Sequence, residues 1–137
     1  RIAMMNDPLS GIMSTELITV SPSDAMTTVL DLFKKRRIHH LPVVDNGKLV
    51  GLITTADLLW LNKNFSEYEA LKVSDIMTTK LATLEPTDKI GSAAELFLLN
   101  RFHAIPVVSE GILIGLVTSF DVLKDQFKKA YPTQLVD

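Results

Sequence analysis

The chain contains no cysteine, which removes disulfides, thiolate metal sites and thiol nucleophiles from consideration at once. The same absence agrees with a reducing compartment, so the cytoplasm is the expected location. Charge of one sign is also lacking. The formal net charge of −2 gives no global electrostatic reason for binding nucleic acid or an anionic membrane, so any anion site has to be local. Long hydrophobic runs are missing as well. Ile112-Leu113-Ile114, followed beyond Gly115 by Leu116-Val117, falls far short of the ~20 apolar residues that span a bilayer. The start, Arg1-Ile2-Ala3, has neither an initiator methionine nor a signal-peptide core, as expected of a chain trimmed or excised from something longer. No phosphate-loop glycine pattern and no nucleophile–base–acid set is visible, so catalysis is not expected.

What is present is enough to fold. With 137 residues, 47% hydrophobic and 22% charged, the composition is that of an ordinary globular chain rather than a disordered one. A displacement of 64 positions, which carries Ile12-Met13 onto Ile76-Met77, aligns the two halves without a gap. Pro22 then falls on Pro86, Asp24 on Asp88, Leu32-Phe33 on Leu96-Phe97, Arg37 on Arg101 and His39 on His103. Pro42-Val43-Val44 falls on Pro106-Val107-Val108, Gly51-Leu52 on Gly115-Leu116, Thr54 on Thr118 and Asp57 on Asp121. About 21 of about 49 compared positions are identical, beyond what shared composition gives by chance. The expected organisation is a first repeat over 8–62, a linker over 63–71, a second repeat over 72–130 and a tail over 131–137. Two copies are too few for an open solenoid, so they are expected to pack about a pseudo-twofold axis.

Each copy reads as strand, helix, strand, strand, helix, an α/β (α+β) pattern. Ile18-Thr19-Val20 is a short β-type run ended by Ser21-Pro22, after which Ser23 or Asp24 is a candidate N-cap. Met26, Val29, Leu30 and Phe33 recur at helical spacing, and Lys34-Lys35-Arg36-Arg37 complement the dipole at the far end. Asn46-Gly47 between two apolar runs predicts a hairpin. Thr54-Thr55-Ala56-Asp57 and Thr118-Ser119-Phe120-Asp121 then open helices. The polar segment from Asn62 to Lys72 connects the copies.

Three features recur in register: Ile-Met-Ser/Thr-Thr near the start of each copy, His-x-x-Pro-Val-Val in the middle, and Gly-Leu-Ile/Val-Thr-x-x-Asp at the end. Together they resemble a tandem pair of cystathionine-β-synthase (CBS) domains, a Bateman module, over residues 8 to 127. The resemblance implies regulation rather than catalysis: clefts between the repeats that take an adenosine-containing ligand such as AMP, ADP, ATP or S-adenosylmethionine. It also implies a homodimer and a regulated partner, and it requires no catalytic cofactor.

By that resemblance, Asp57 and Asp121 accept from ribose hydroxyls, and Thr54 and Thr118, with Thr55 and Ser119 in the same motifs, serve phosphate or ribose. His39 and His103 lie near phosphate, Ser10, Thr15, Ser74 and Thr79 line the opposite wall, and Ile38 and Phe102 border the base. The plainer reading of Thr-x-x-Asp is a helix cap, and the two roles are compatible. A metal site is not expected, because His39 and His40 point to opposite faces of a strand and no carboxylate pair completes a set. Ala104 stands where some family members carry a basic residue, so at most one strong phosphate site is expected. Leu98, Leu99, Trp60 and Phe127 either complete the core or pair with a second module. The alternative to a sensor is a ligand-free dimerisation or protein-interaction module.

Overall fold

Alternation of strand and helix signals is realised as six α-helices and four strands, with a 3-10 turn at Leu9–Gly11, among the residues that the computed structural model describes, 5–100 and 102–133. Arg101, the repeat partner of Arg37, and the tail beyond Thr133 lie outside that description. The first repeat gives α1 (Met26–Arg36), β1 (His40–Asp45), β2 (Lys48–Thr54) and α2 (Thr55–Leu61). Short helices α3 (Phe65–Tyr68) and α4 (Val73–Ile76) follow. The second repeat gives α5 (Ile90–Asn100), β3 (Ala104–Ser109), β4 (Ile112–Thr118) and α6 (Ser119–Ala130).

Both hairpins form as the turn chemistry dictates. Asn46 and Gly47 take φ of 52° and 82°, and Glu110 and Gly111 take 52° and 81°, the left-handed pair that a tight two-residue β-turn demands. β1 pairs antiparallel with β2 from His40 opposite Thr54 to Asp45 opposite Lys48, with a bulge after Val43. β3 pairs with β4 in the same way, from Ala104 opposite Thr118 to Ser109 opposite Ile112, with its bulge after Val107. One tight turn and one bulge, repeated at the 64-residue offset, aim both Thr-x-x-Asp motifs out of the ends of β2 and β4.

Packing follows a different boundary from the repeat. One compact unit comprises residues 18–81, and the other comprises 1–17 with 82–137. The segment that opens each repeat therefore packs with the helix and hairpin of the other repeat. In the unit of residues 18–81, Val73 is fully buried with Met26, Val29, Leu41, Val43, Ile53 and Tyr68. In the other, Leu9 occupies the corresponding place among Ile90, Ala93, Phe97, Ile105, Val107, Val117 and Val122. The incoming segments are fastened by reciprocal backbone hydrogen bonds, Ser14 with Leu116 at 2.8 and 3.0 Å and Thr78 with Leu52 at 2.9 and 3.0 Å. Beside each bridge a methionine lies over a strand glycine: a Cβ built on Gly115 meets Met13 Sδ at 2.5 Å, and one on Gly51 meets Met77 Sδ at 2.6 Å. Glycine is thus needed at both strand positions for close approach, not for a phosphate loop.

Four local expectations change. The opening β-run contracts to single parallel bridges, Val20 with Val43 and Leu84 with Val107. Neither Ser23 nor Asp24 caps α1; the N-cap is Ala25, without a side-chain hydrogen bond. Asp24 instead accepts the Ser21 N–H at 2.8 Å, and the N–H of Met26, which has no partner within the helix, donates to the Leu71 carbonyl at 2.9 Å. The same device recurs where Ile90 N–H donates to the Asp7 carbonyl at 2.9 Å, so the incoming segment supplies what a cap would. The polar connection also carries structure: Asn64 and Glu67 form a capping box for α3, and Tyr68 is buried with its hydroxyl donating to the Leu58 carbonyl at 3.4 Å. Finally, Leu98, Leu99 and Trp60 do not complete the core but stand 83%, 73% and 88% exposed, and Phe127 is exposed too.

Candidate functional site

Both Thr-x-x-Asp motifs are reciprocal capping boxes. Thr118 Oγ1 accepts the Asp121 N–H at 3.1 Å while Asp121 Oδ2 accepts the Thr118 N–H at 2.8 Å. Thr54 and Asp57 repeat this at 3.2 and 2.9 Å. The arrangement satisfies two otherwise orphaned amides and fixes the first turn of each helix. It leaves the second carboxylate oxygen of each aspartate without a role in the box, and all four residues are only half-buried. The cap and an acceptor for a ligand hydroxyl are thus compatible in one side chain.

The residues just before each hairpin are drawn to the same place by the backbone. Ser119 N–H donates to the His103 carbonyl and Thr55 N–H to the His39 carbonyl, each at 3.1 Å. Both imidazoles are exposed, as is Phe102, while Ile38 is half-buried. The exchanged segments contribute the rest. Ser10 is anchored by its N–H to the Pro86 carbonyl at 3.0 Å and Ser74 to the Pro22 carbonyl at 2.9 Å. Thr15 and Thr79 directly follow the bridging residues Ser14 and Thr78. The candidate residues sort into two sets. Ser10, Thr15, Phe102, His103, Thr118, Ser119 and Asp121 share one compact unit; Ile38, His39, Thr54, Thr55, Asp57, Ser74 and Thr79 share the other.

In the unit of the second repeat a cleft of about 280 Å³ opens beside Asp121. Its walls are Gly11 and Ile12 of the incoming segment and Asp121, Lys124, Asp125 and Lys128 of α6. Of these, only Asp121 is among the expected site residues. The lysines recur at i+3 and i+7 from Asp121, which places them on its helix face, but charged residues at that spacing ordinarily read as a solvated surface. Asp125 is engaged by Lys129 at 3.0 Å, which also reaches Asp7 at 2.8 Å. The Asp7 hydrogen bond, more than the pairing with Asp125, raises the Lys129 ammonium pKa above its ordinary value. Among the described residues, no group of three or more His, Asp or Glu side chains is placed to hold a metal ion, and no helix is long and apolar enough to cross a membrane.

Several known proteins share this architecture. An inosine-5′-monophosphate dehydrogenase of Korarchaeum cryptofilum is 36% identical over 118 residues, which amount to 85% of this chain and 23% of that protein. CBSX2 of Arabidopsis thaliana, solved in complex with AMP, is 29% identical with a TM-score of 0.81, covering 90% of this chain and 98% of its own. The CBS domain pair of protein MJ0100, solved with 5′-methylthioadenosine and S-adenosyl-L-methionine, is 27% identical with a TM-score of 0.77, covering 89% and 97%. The chain spans 23% to 48% of the length of three curated relatives that it matches. The CBS domain model itself matches twice in tandem, over residues 9–62 and 73–127. This chain therefore belongs to the CBS domain family and carries two copies of the domain.

Proposed function

We propose that the chain is a regulatory module that binds an adenosine-containing small molecule and carries no catalysis of its own. One observation carries the reading. Two family members that cover about nine-tenths of this chain were solved with adenosine compounds, AMP in one and 5′-methylthioadenosine with S-adenosyl-L-methionine in the other. In this chain Asp121 has a carboxylate oxygen to offer ribose hydroxyls, at the head of a 12-residue helix whose dipole favours an anion. Ser119 and Thr118 stand beside it for phosphate or ribose, His103 is tied to Ser119, and Ser10 and Thr15 enter on the opposing segment. The first repeat offers the analogous set Thr54, Thr55, Asp57, Ile38, His39, Ser74 and Thr79, but on a helix of 7 residues. Phe102 and Ile38 are assigned to the base. Thermal unfolding against AMP, ADP, ATP and S-adenosylmethionine tests the reading. A ligand at ~100 times its dissociation constant adds ~2.7 kcal/mol, a rise of several degrees, whereas no rise with any of them refutes it.

The exposed Leu98 and Leu99 on α5 and Trp60 on α2 favour a second property, association of two copies through their helical faces. Sedimentation of the wild type is expected to give a dimer, and Leu98→Lys with Leu99→Lys a monomer with an unchanged circular dichroism spectrum. A monomeric wild type removes this part of the proposal and leaves ligand binding untouched.

A further inference from the structure

With no cysteine in the chain, its thioethers are the sulfur atoms that an oxidant meets. Of the five methionines, Met26 is fully buried in the core and Met5 is exposed, while Met4 lies outside the described residues. Met13 and Met77 differ from all of these. Each is half-buried, each belongs to an Ile-Met-Ser/Thr-Thr motif, and none of the proposed ligand contacts uses either side chain. Each also covers a strand glycine beside a reciprocal backbone bridge. Met13 lies on Gly115 next to the Ser14–Leu116 pair, and Met77 lies on Gly51 next to the Thr78–Leu52 pair.

The fit leaves no room on the strand side of either sulfur. A single carbon placed on Gly115 meets Met13 Sδ at 2.5 Å and Cγ at 2.9 Å, and one on Gly51 meets the same atoms of Met77 at 2.6 and 2.9 Å. An oxygen bound to the sulfur needs a comparable volume and a hydrogen-bond donor as well. The amides beside it are already committed, since Ser14 and Leu116 donate to each other's carbonyls, as do Thr78 and Leu52. Met13 otherwise packs against the apolar cluster of Leu9, Ile105 and Val117, and Met77 against that of Val43, Ile53 and Val73. A sulfoxide at either position therefore leaves the glycine and turns to water, and the opening segment loses the contact that presses it to the strand.

We propose that Met13 and Met77 are a pair of reversible oxidation sites at which a peroxide releases the opening segment of each repeat. A sulfur lone pair attacks one peroxide oxygen, an S–O bond forms and the O–O bond breaks. The thioether is oxidised by two electrons to the sulfoxide, and the second oxygen takes them and, with hydrogen peroxide, leaves as water. A thiol-dependent sulfoxide reductase reverses the step, two thiols becoming a disulfide and the oxygen leaving as water. The released segments carry Ser10 and Thr15 in one unit and Ser74 and Thr79 in the other, so oxidation acts on the segments assigned to the ligand. The inference goes beyond the adenosine reading and does not rest on it.

The experiment treats the chain with hydrogen peroxide, locates the added oxygen by peptide mass spectrometry and follows the backbone bridges by amide hydrogen exchange, with no ligand present. Met13 and Met77, like the exposed Met5, are expected to gain one oxygen each, while Met26 stays reduced. Exchange at Ser14, Leu116, Thr78 and Leu52 should quicken by about tenfold or more and return to its starting rate after methionine sulfoxide reductases of both epimer specificities act with dithiothreitol. Met13→Leu with Met77→Leu, which nearly conserves volume and has no sulfur, should exchange slowly before and after peroxide. Met13 and Met77 that stay reduced while Met5 is oxidised, or sulfoxides at both with exchange unchanged, overturn the proposal. So does quickened exchange that the reductases do not reverse, or that the leucine variant also shows. Reversal in the wild type reads the effect without any substitution, so the test stands even if the leucine variant fails to fold.

Discussion

Asp121→Asn is expected to remove most of the ligand-dependent rise in unfolding temperature while leaving the ligand-free midpoint nearly where it was. Asparagine keeps an oxygen that accepts the Thr118 N–H, now held by Asp121 Oδ2 at 2.8 Å, so the capping box persists. What it loses is the second carboxylate oxygen, replaced by an amide donor facing ribose hydroxyls that need acceptors. If affinity falls about a hundredfold, a ligand that contributed ~2.7 kcal/mol contributes only ~0.4 kcal/mol at the same concentration. Thr118→Ala measures the cap in the ligand-free protein, since it removes the oxygen that accepts the Asp121 N–H and should cost ~0.5–2 kcal/mol without any ligand present. Differential scanning calorimetry of the three proteins with and without AMP or ATP reads both effects. An Asp121→Asn protein that keeps the full ligand-induced rise would show that the carboxylate is a cap and nothing more.

Gly115→Val is expected to lower stability by ~1–3 kcal/mol, because a β-branched side chain has nowhere to go. The first added atom meets Met13 Sδ at 2.5 Å, Cγ at 2.9 Å and Cβ at 3.3 Å, and the last of these is too near the backbone to swing aside. Met13 belongs to the segment that opens the first repeat, yet it presses on a strand of the second, held by the Ser14–Leu116 bridge one residue on. Met13→Ala in the Gly115→Val background should therefore recover part of the loss, with a coupling of ~0.5–3 kcal/mol in a double-mutant cycle measured by urea unfolding. Gly51→Val with Met77→Ala should behave alike, since the offset reproduces the contact at 2.6 Å. Strictly additive effects of the valine and alanine exchanges would show that the methionine does not lie on the glycine.

The hairpins and caps were legible because their determinants are local. Asn46-Gly47 forces a left-handed turn wherever it stands, and Thr-x-x-Asp closes a box within four residues. The exchange of opening segments was not legible. A repeat offset states which residues resemble each other, but Leu9 and Val73 are equivalent apolar positions that suit either unit, and only packing decides which core each enters. The start of α1 was misplaced for a related reason: the Met26 N–H is met by the carbonyl of Leu71, 45 residues away, and no side-chain cap is then required. Tyr68 was hidden inside a polar segment. Along the cleft, the motif marks Asp121 as a candidate, whereas nothing in the spacing of Lys124 and Lys128 separates a cleft wall from a solvated helix face.

Titration of the isotopically labelled chain with AMP and then ATP, followed by amide chemical shifts, tests the binding of an adenosine ligand at the second repeat most directly. The prediction is saturable shifts clustered at Thr118, Ser119, Asp121 and His103, together with Gly11 and Ile12 from the opening segment. Spectra unchanged by either nucleotide, or shifts confined to the exposed face around Leu98 and Leu99, would contradict the assignment and leave the chain as an interaction module.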